Sequence, residues 1–226
     1  MDTLARASAP LSRVERRKAR TNQRLLEVAR QLFSEKGIYW AKVEDITELA
    51  DLGKGTFYKY FDSKETIIRV LLEEGLGDLM TKTEQAVRKA SSDTKILSAI
   101  IATRVDFFLT YPDYLLLFHQ VRGMMQLNVD LAKDFRAVYD KHLRKLAQLL
   151  NPALGAKTAG HARDVAMAIA AYTSGLLTYH LLFEGLGGVK RRRDSLIQSI
   201  EGSAKAILKD GNGTRSREFT RLGARE

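Results

Sequence analysis

The stretch Lys42 to Phe61, KVEDITELADLGKGTFYKYF, narrows the possible folds more than any other part of the chain. Ile46, Leu49 and Ala50 recur three and four apart, which puts them on one face of a short helix. Asp51-Leu52-Gly53 breaks that period. A second short helix follows, with Phe57 and Phe61 on its buried side and Lys54, Thr56, Tyr58, Lys59 and Tyr60 mostly outside. Two short helices joined by a tight turn make a helix-turn-helix, whose second helix suits the DNA major groove. Lysine offers point charge to phosphate, and threonine and tyrosine hydroxyls donate to phosphate oxygens. Gly55 lets the backbone approach a duplex closely. The candidate DNA-contact set is Lys42, Thr47, Lys54, Gly55, Thr56, Tyr58, Lys59, Tyr60 and Lys64.

The residues Leu52 to Glu65, LGKGTFYKYFDSKE, resemble the DNA-binding signature of the TetR/AcrR family of bacterial transcriptional regulators. The resemblance reaches back through Ala29, Leu32, Phe33 and Gly37, so its motifs cover residues 20–72, with about a dozen positions agreeing in order and spacing. Two positions depart from the family pattern. Asp51 stands where the family usually has glycine, and Asp tolerates a left-handed turn better than most residues. Gly53 stands where Ser or Thr is common; it can still cap a helix but offers no hydroxyl to a phosphate. The resemblance implies a cytoplasmic homodimer, usually a repressor, that binds a palindromic operator and is released by a small molecule.

The charge distribution agrees with a polyanion partner. Net charge is +10, and residues 1–64 carry 13 basic against 9 acidic side chains, residues 190–226 carry 10 against 5. Basicity therefore sits at the two ends, which suits polyanion binding at the N-terminal one. Residues 1–20 are expected to form a basic, disordered arm carrying Arg13, Arg16, Arg17, Lys18 and Arg20. They contain no apolar run, so no signal peptide is expected. Such an arm would add salt-sensitive affinity for phosphates. Zero cysteines exclude disulfides and thiolate metal sites. The four histidines are never three or four apart, so no local metal pair forms and no metal or cofactor is expected.

Helical periodicity continues to the end of the chain, and no strand-like alternation persists. An all-α fold of about nine helices is expected: a three-helix head at 21–64 with the motif at 42–61, a larger bundle for ligand binding and dimerisation at 65–210, and a flexible tail at 211–226. A first helix at 21–36 stops at Gly37. Trp40, the only tryptophan, is expected in the core. Asp62 with Glu65 three later reads as the capping box of a long fourth helix. Lys64 at that helix start opposes the dipole and asks for an anionic partner, for which a phosphate is the natural candidate. An eighth helix is expected to end at Gly185. Within it, Val165 to Phe183 is 19 residues without a formal charge, long enough for a membrane span. Tyr172, Thr173, Ser174, Thr178, Tyr179 and His180 inside that run, and basic flanks on both sides, favour a helix buried between neighbours and a second subunit.

No nucleophile, Walker-type or dinucleotide motif occurs, so catalysis is not expected; His180 with Glu184 one turn on reads as a helix-surface contact. The polar and aromatic residues of helices five to eight, expected at about 94–110, 112–127, 130–150 and 160–184, instead suggest an effector pocket lined by Arg104, Phe107, Phe108, Phe118, His119, Arg122, Met125, Tyr172 and Tyr179. Arg104, if buried, needs an anionic partner. Two apolar stripes suggest a dimer seam, Ile169, Tyr172, Leu176 and Phe183 on helix eight and Leu196, Ile197, Ile200, Ala204, Ile207 and Leu208 on helix nine. The competing reading, a helical ligand-binding or scaffold protein with a vestigial DNA-binding head, is weakened by the presence of Lys54, Tyr58 and Lys64 together.

Overall fold

The computed structural model describes residues 12–127, 129–154 and 162–210, with nothing said of the side chains at 127, 129–131 and 207–210. The described residues form nine α-helices and no strand: α1 Arg13–Lys36, α2 Val43–Leu49, α3 Lys54–Phe57, α4 Lys64–Arg88, α5 Asp93–Thr110, α6 Pro112–Leu127, α7 Val129–Leu150, α8 Ala162–Arg191 and α9 Arg193–Asp210. A single 3-10 turn, Asn151–Ala153, follows α7. The chain divides into two compact units at Leu71/Leu72, later than the boundary at 64 that the motif suggested. The first two turns of α4 explain the difference, because Ile67, Ile68 and Leu71 are buried.

The first unit is built around α1. Ser12 caps it: the Ser12 Oγ accepts from Glu15 N at 3.2 Å and the Glu15 carboxylate accepts from Ser12 N at 2.7 Å. That capping box starts the helix at Arg13, so residues 13–20 are two helical turns and not a disordered arm. Residues 1–11, the rest of the expected arm, and the tail at 211–226 lie outside the described residues. Leu25, Leu26, Val28, Ala29, Leu32 and Phe33 form the buried stripe of α1. Gly37 ends it at φ 83, its N–H bonded to the Phe33 carbonyl at 3.1 Å.

Ile46 and Ala50 of the α2 region and Phe57 and Phe61 of the α3 region complete this core. Two expectations fail here. Leu49 is exposed, because α2 stops after it and buries only Ile46 and Thr47. Trp40 is 80% exposed, with Tyr39 beside it also exposed. The chain between α1 and α2 turns Ile38 and Ala41 inward and leaves the two residues between them outside. The cap of α4 also differs. Ser63, not Asp62, supplies the accepting oxygen, taking Thr66 N at 3.2 Å.

The second unit is a helical bundle. α7 packs against α6 and α8, α8 against α5, α6 and α9, and α5 against α6 and α9. Gly75 of α4 permits the closest packing. A Cβ there would lie 2.5 Å from the Tyr114 ring and 2.9 Å from Phe118. The rings of Phe107, Phe108, Tyr111, Tyr114, Phe118 and Tyr139 make a continuous chain of edge and tilted contacts through α5, α6 and α7. Arg193 ties α9 to α5 through Asp106, Nε to Oδ1 at 2.5 Å and Nη2 to Oδ2 at 2.7 Å. At Gly185 α8 bends instead of stopping, at φ 66 and ψ 172, before running on to Arg191. By length and apolar composition α8 alone among the described helices could cross a membrane, but a core helix of a soluble protein satisfies the same condition.

Candidate functional site

Three features of the first unit shape the face that α2 and α3 present. The turn between them is closed by Asp51 at φ 56, with Leu52 N donating to Thr47 O at 2.9 Å. This is the left-handed closure that Asp was expected to tolerate. Gly53, extended at φ −73 and ψ 148, opens α3, and its carbonyl accepts from Thr56 N at 2.8 Å. Phe57 is fully buried, edge-on to Tyr58 at 5.4 Å and tilted against Phe61 at 5.6 Å, so α3 is pinned through one side.

The opposite side is open. Lys42, Lys54, Gly55, Tyr58 and Lys59 are exposed, and Thr56 and Tyr60 are half-buried. Nothing lies within 4 Å of where a Cβ on Gly55 would be. Lys54 is not a free cation: its ammonium is ion-paired with the Glu44 carboxylate. The hydrogen bond with Lys54 holds Glu44 below the usual carboxylate range, and the same contact raises Lys54.

Two members of the contact set are used by the fold. Thr47 is 5% exposed, and its hydroxyl donates to the Glu44 carbonyl at 3.0 Å, so it is not on the open face. Helical rotation from Ile46 carries its neighbour inward as well. Lys64 Nζ donates to Ile38 O at 2.8 Å and Ala41 O at 3.0 Å. The lysine placed against the helix dipole thus has backbone carbonyls as partners, and a phosphate is not needed to explain it.

The second unit contains a cavity of about 300 Å³. Of the expected pocket residues, Arg104, Phe108, Phe118, Arg122 and Met125 line it. Phe107 does not. One residue before Phe108 on α5, it faces Tyr111 and Tyr114 at 5.2 and 5.9 Å. His119, one residue on from Phe118, is exposed and is not among the lining residues. Tyr179 is exposed, and Tyr172 is turned toward α9, where hydrogen bonds with Ser203 and Ser199 lower its phenol.

The wall that sequence reasoning missed is supplied by Leu76 of α4, Tyr139, His142 and Leu143 of α7, and Met167, Ala170, Ala171, Ser174 and Gly175 of α8. Tyr139, His142, Leu143 and Leu146 are spaced three, four and seven apart, a helical face readable in the sequence. Nothing in the sequence says that this face meets Arg104.

Arg104 is 3% exposed, and its Nη1 lies 3.2 Å from His142 Nε2. A guanidinium only donates, so Nε2 is the acceptor and the imidazole is neutral. Burial first, then the charge of Arg104, pushes His142 down to about 3, while the backbone of Leu76 takes the ring's other hydrogen bond. Burial, reinforced by the charge of Arg122, lowers Arg104 to about 10. Burial raises the Tyr139 phenol, whose hydroxyl donates to Phe118 O at 3.0 Å. No carboxylate is among the described residues that line the cavity.

The expected dimer seam divides. Ile169, Leu196, Ile200 and Ala204 are buried within the single chain, where α8 packs on α9. Ile169, Ile200 and Ala204 form the floor of a groove of about 400 Å³ between those helices. Their stripes suggest a need for a second subunit, yet the neighbouring helix already covers them. Leu176 and Ile197 are half-buried; Tyr172 and Phe183 are exposed, together with Met167, Tyr179 and Leu182. The side chains of Ile207 and Leu208 lie outside those described.

Residues 25–71 match the model of the bacterial regulatory proteins of the tetR family. The chain is similar to the HTH-type transcriptional repressor KstR2 of Rhodococcus jostii (strain RHA1), 34% identical over 79 residues, which is 35% of this chain and 39% of that repressor. The match thus spans about two-fifths of the relative's length. In fold it is similar to the fatty acid degradation regulator FadR from Bacillus halodurans, with a TM-score of 0.68 at 20% identity over 80% of this chain and 95% of that one. It is also similar to FadR from Bacillus subtilis in complex with stearoyl-CoA, with a TM-score of 0.66 at 17% identity over 79% and 96%. Family model and repressor relative agree over the head: residues 25–71 are a DNA-binding head of the tetR family of bacterial regulatory proteins, and the fold of the chain is the one its solved neighbours share.

Proposed function

We propose that this protein is a homodimeric transcriptional repressor, released from a palindromic operator by a small, mainly hydrophobic molecule held in the cavity of the second unit. The observation that carries the reading is that one continuous helix serves both activities. α4 supplies Lys64 to the head and Leu76 to the cavity wall, where Leu76 is hydrogen-bonded to His142. A ligand that repositions Leu76 therefore acts on the helix that leaves the head.

Two heads on one duplex must match grooves about 34–36 Å apart, or a multiple of it, so a displacement of a few ångströms at each weakens both half-sites. Ligand and DNA then favour different members of one conformational equilibrium, and each weakens the other by the same factor. The exposed stripe of Tyr172, Tyr179, Leu182 and Phe183 supports association through α8. The stearoyl-CoA held by the FadR neighbour supports an acyl compound as one class of effector.

The test is a fluorescence-polarisation titration of the full chain against duplex DNA from upstream of its own gene, at several salt concentrations, with and without candidate effectors. Binding to one fragment at least a hundredfold tighter than to unrelated DNA is expected. Equal affinity for every fragment would leave a head without an operator and overturn the reading.

A further inference from the structure

We propose that the cavity is built around the anionic end of its ligand, and that the effector is a free carboxylic acid rather than its neutral ester, alcohol or coenzyme A thioester. The proposal rests on the reading of this cavity as the effector site and specifies the chemistry the site selects.

Arg104 is the central group. A guanidinium withdrawn from water is costly unless charge and hydrogen bonds compensate it. Here the compensation is incomplete. Nη1 has the neutral His142 ring, and the Phe108 ring lies 6.0 Å from the guanidinium carbon. Nε, fully buried, has no hydrogen-bond partner. Arg122 is a second cation on the same cavity and adds repulsion. No described residue of the lining is acidic, so the site holds positive charge and supplies no counter-charge. Carboxylate geometry matches the unused edge of Arg104, because two oxygens can accept from adjacent N–H groups of the fork.

Most of the remaining wall is apolar, including Leu76, Phe118, Met125, Leu143 and Met167, with the Tyr139 and Ser174 hydroxyls as its other polar groups. It fits an acid with a hydrocarbon or aromatic body. About 300 Å³ is at the small end of ligand pockets, which run from about 300 to 1,000 Å³. A coenzyme A thioester meets these conditions poorly. Its thioester carbonyl is neutral, and its phosphates lie a long pantetheine arm away from the acyl carbon. It brings no charge to Arg104 while its own charges stay outside.

The experiment is calorimetric titration of the full chain with three probes of one body, decanoate, decanol and decanoyl-CoA, and in parallel with 4-phenylbutanoate and its alcohol. At least one acid should bind at least tenfold tighter than its alcohol. Arg104→Met should abolish that difference, and Arg104→Lys should retain part of it. DNA binding by Arg104→Met without ligand, and its circular dichroism, check that the variant is folded. If no acid outbinds its alcohol, or if Arg104→Met leaves the preference intact, the proposal is overturned. Decanoyl-CoA releasing DNA while decanoate neither binds nor releases it would also overturn it, and would leave the repressor reading standing. An acid that binds through Arg104 without affecting DNA would uphold the site and remove the repressor reading instead.

Discussion

Lys64 donates from Nζ to the carbonyl oxygen of Ile38 at 2.8 Å, across 26 positions of sequence. With the second bond to Ala41, one side chain at the start of α4 closes the segment between α1 and α2. The head's geometry thus depends on a cation that stays with the protein. Lys64→Met should destabilise the folded head by about 1.5–2 kcal/mol, the lower part of the range for bonds to a charged group, since Lys64 is half-buried. Chemical denaturation followed by circular dichroism would measure it. DNA binding should fall without a change in its salt slope, because the Lys64 ammonium is engaged by two backbone carbonyls. A slope reduced by about one unit would instead give Lys64 a phosphate.

Glu44 and Lys54 form the opposite case. Both are exposed, and the ion pair between them screens the first residue of α3. A phosphate approaching Lys54 must displace Glu44. Glu44→Gln should strengthen binding to any duplex and steepen the salt dependence. Lys54→Ala should weaken binding and lower the slope by about 0.9 for each phosphate left without its cation. Titrations at low and at moderate salt separate these outcomes. A Glu44→Gln variant with unchanged affinity and slope would mean that Lys54 faces no phosphate.

How much of this was legible in the sequence depends on the range of the interaction. Helix positions were readable, since periodicity and turn residues are local: α6 begins at Pro112 and ends at Leu127 as expected, and Asp51 takes the left-handed turn. Residues at the edges of elements were not. Thr47 and Leu49 exchange the roles that a simple face assignment gives them, because α2 is only seven residues long and its partners decide which side is covered. Lys64, His142 and Tyr139 escape a local reading because their partners are 21 to 38 positions away. The part of the pocket that α5 and α6 supply follows from their aromatic density. The α7 and α8 walls require tertiary packing.

Apolar neighbours in the sequence place Trp40 in the core, yet it stands on the surface of the head. Because it is the only tryptophan, its emission reports this one position. Emission should be that of a solvated indole, and acrylamide should quench it almost as effectively as free tryptophan in the native protein. Unfolding in urea should change the spectrum little. A strongly blue-shifted, protected native emission would contradict the chain path between α1 and α2.

Association and folding can be separated on α8 and α9. Ile200 is 1% exposed within one chain, so Ile200→Asp should unfold the second unit itself. Phe183 is 78% exposed and has no such role. Phe183→Ser combined with Leu182→Ser should leave the thermal transition of the subunit in place and raise the dimer dissociation constant at least tenfold in sedimentation equilibrium. A parent protein that sediments as a monomer at micromolar concentration would remove α8 as an interface.

His142 gives the second unit a defined response to acid. Its native value, pushed from 6.5 down to about 3 by burial and by Arg104, lies well below that of the unfolded chain. Between those two values the unfolded state binds a proton that the native state does not. Stability therefore rises with pH through this interval and falls as pH drops from about 6.5 toward 3, with no His142 contribution to the slope above 6.5. Other groups titrate in the same interval, so the test is a difference. His142→Gln keeps an acceptor for Arg104 Nη1 and removes the titration. Denaturant melts of parent and variant at several pH values from neutral down to about 4 should show the parent losing more stability per pH unit, up to about 1.4 kcal/mol more where His142 is protonated only in the unfolded chain. Parallel curves would mean that the ring reaches solvent and that the Arg104–His142 contact does not persist in solution.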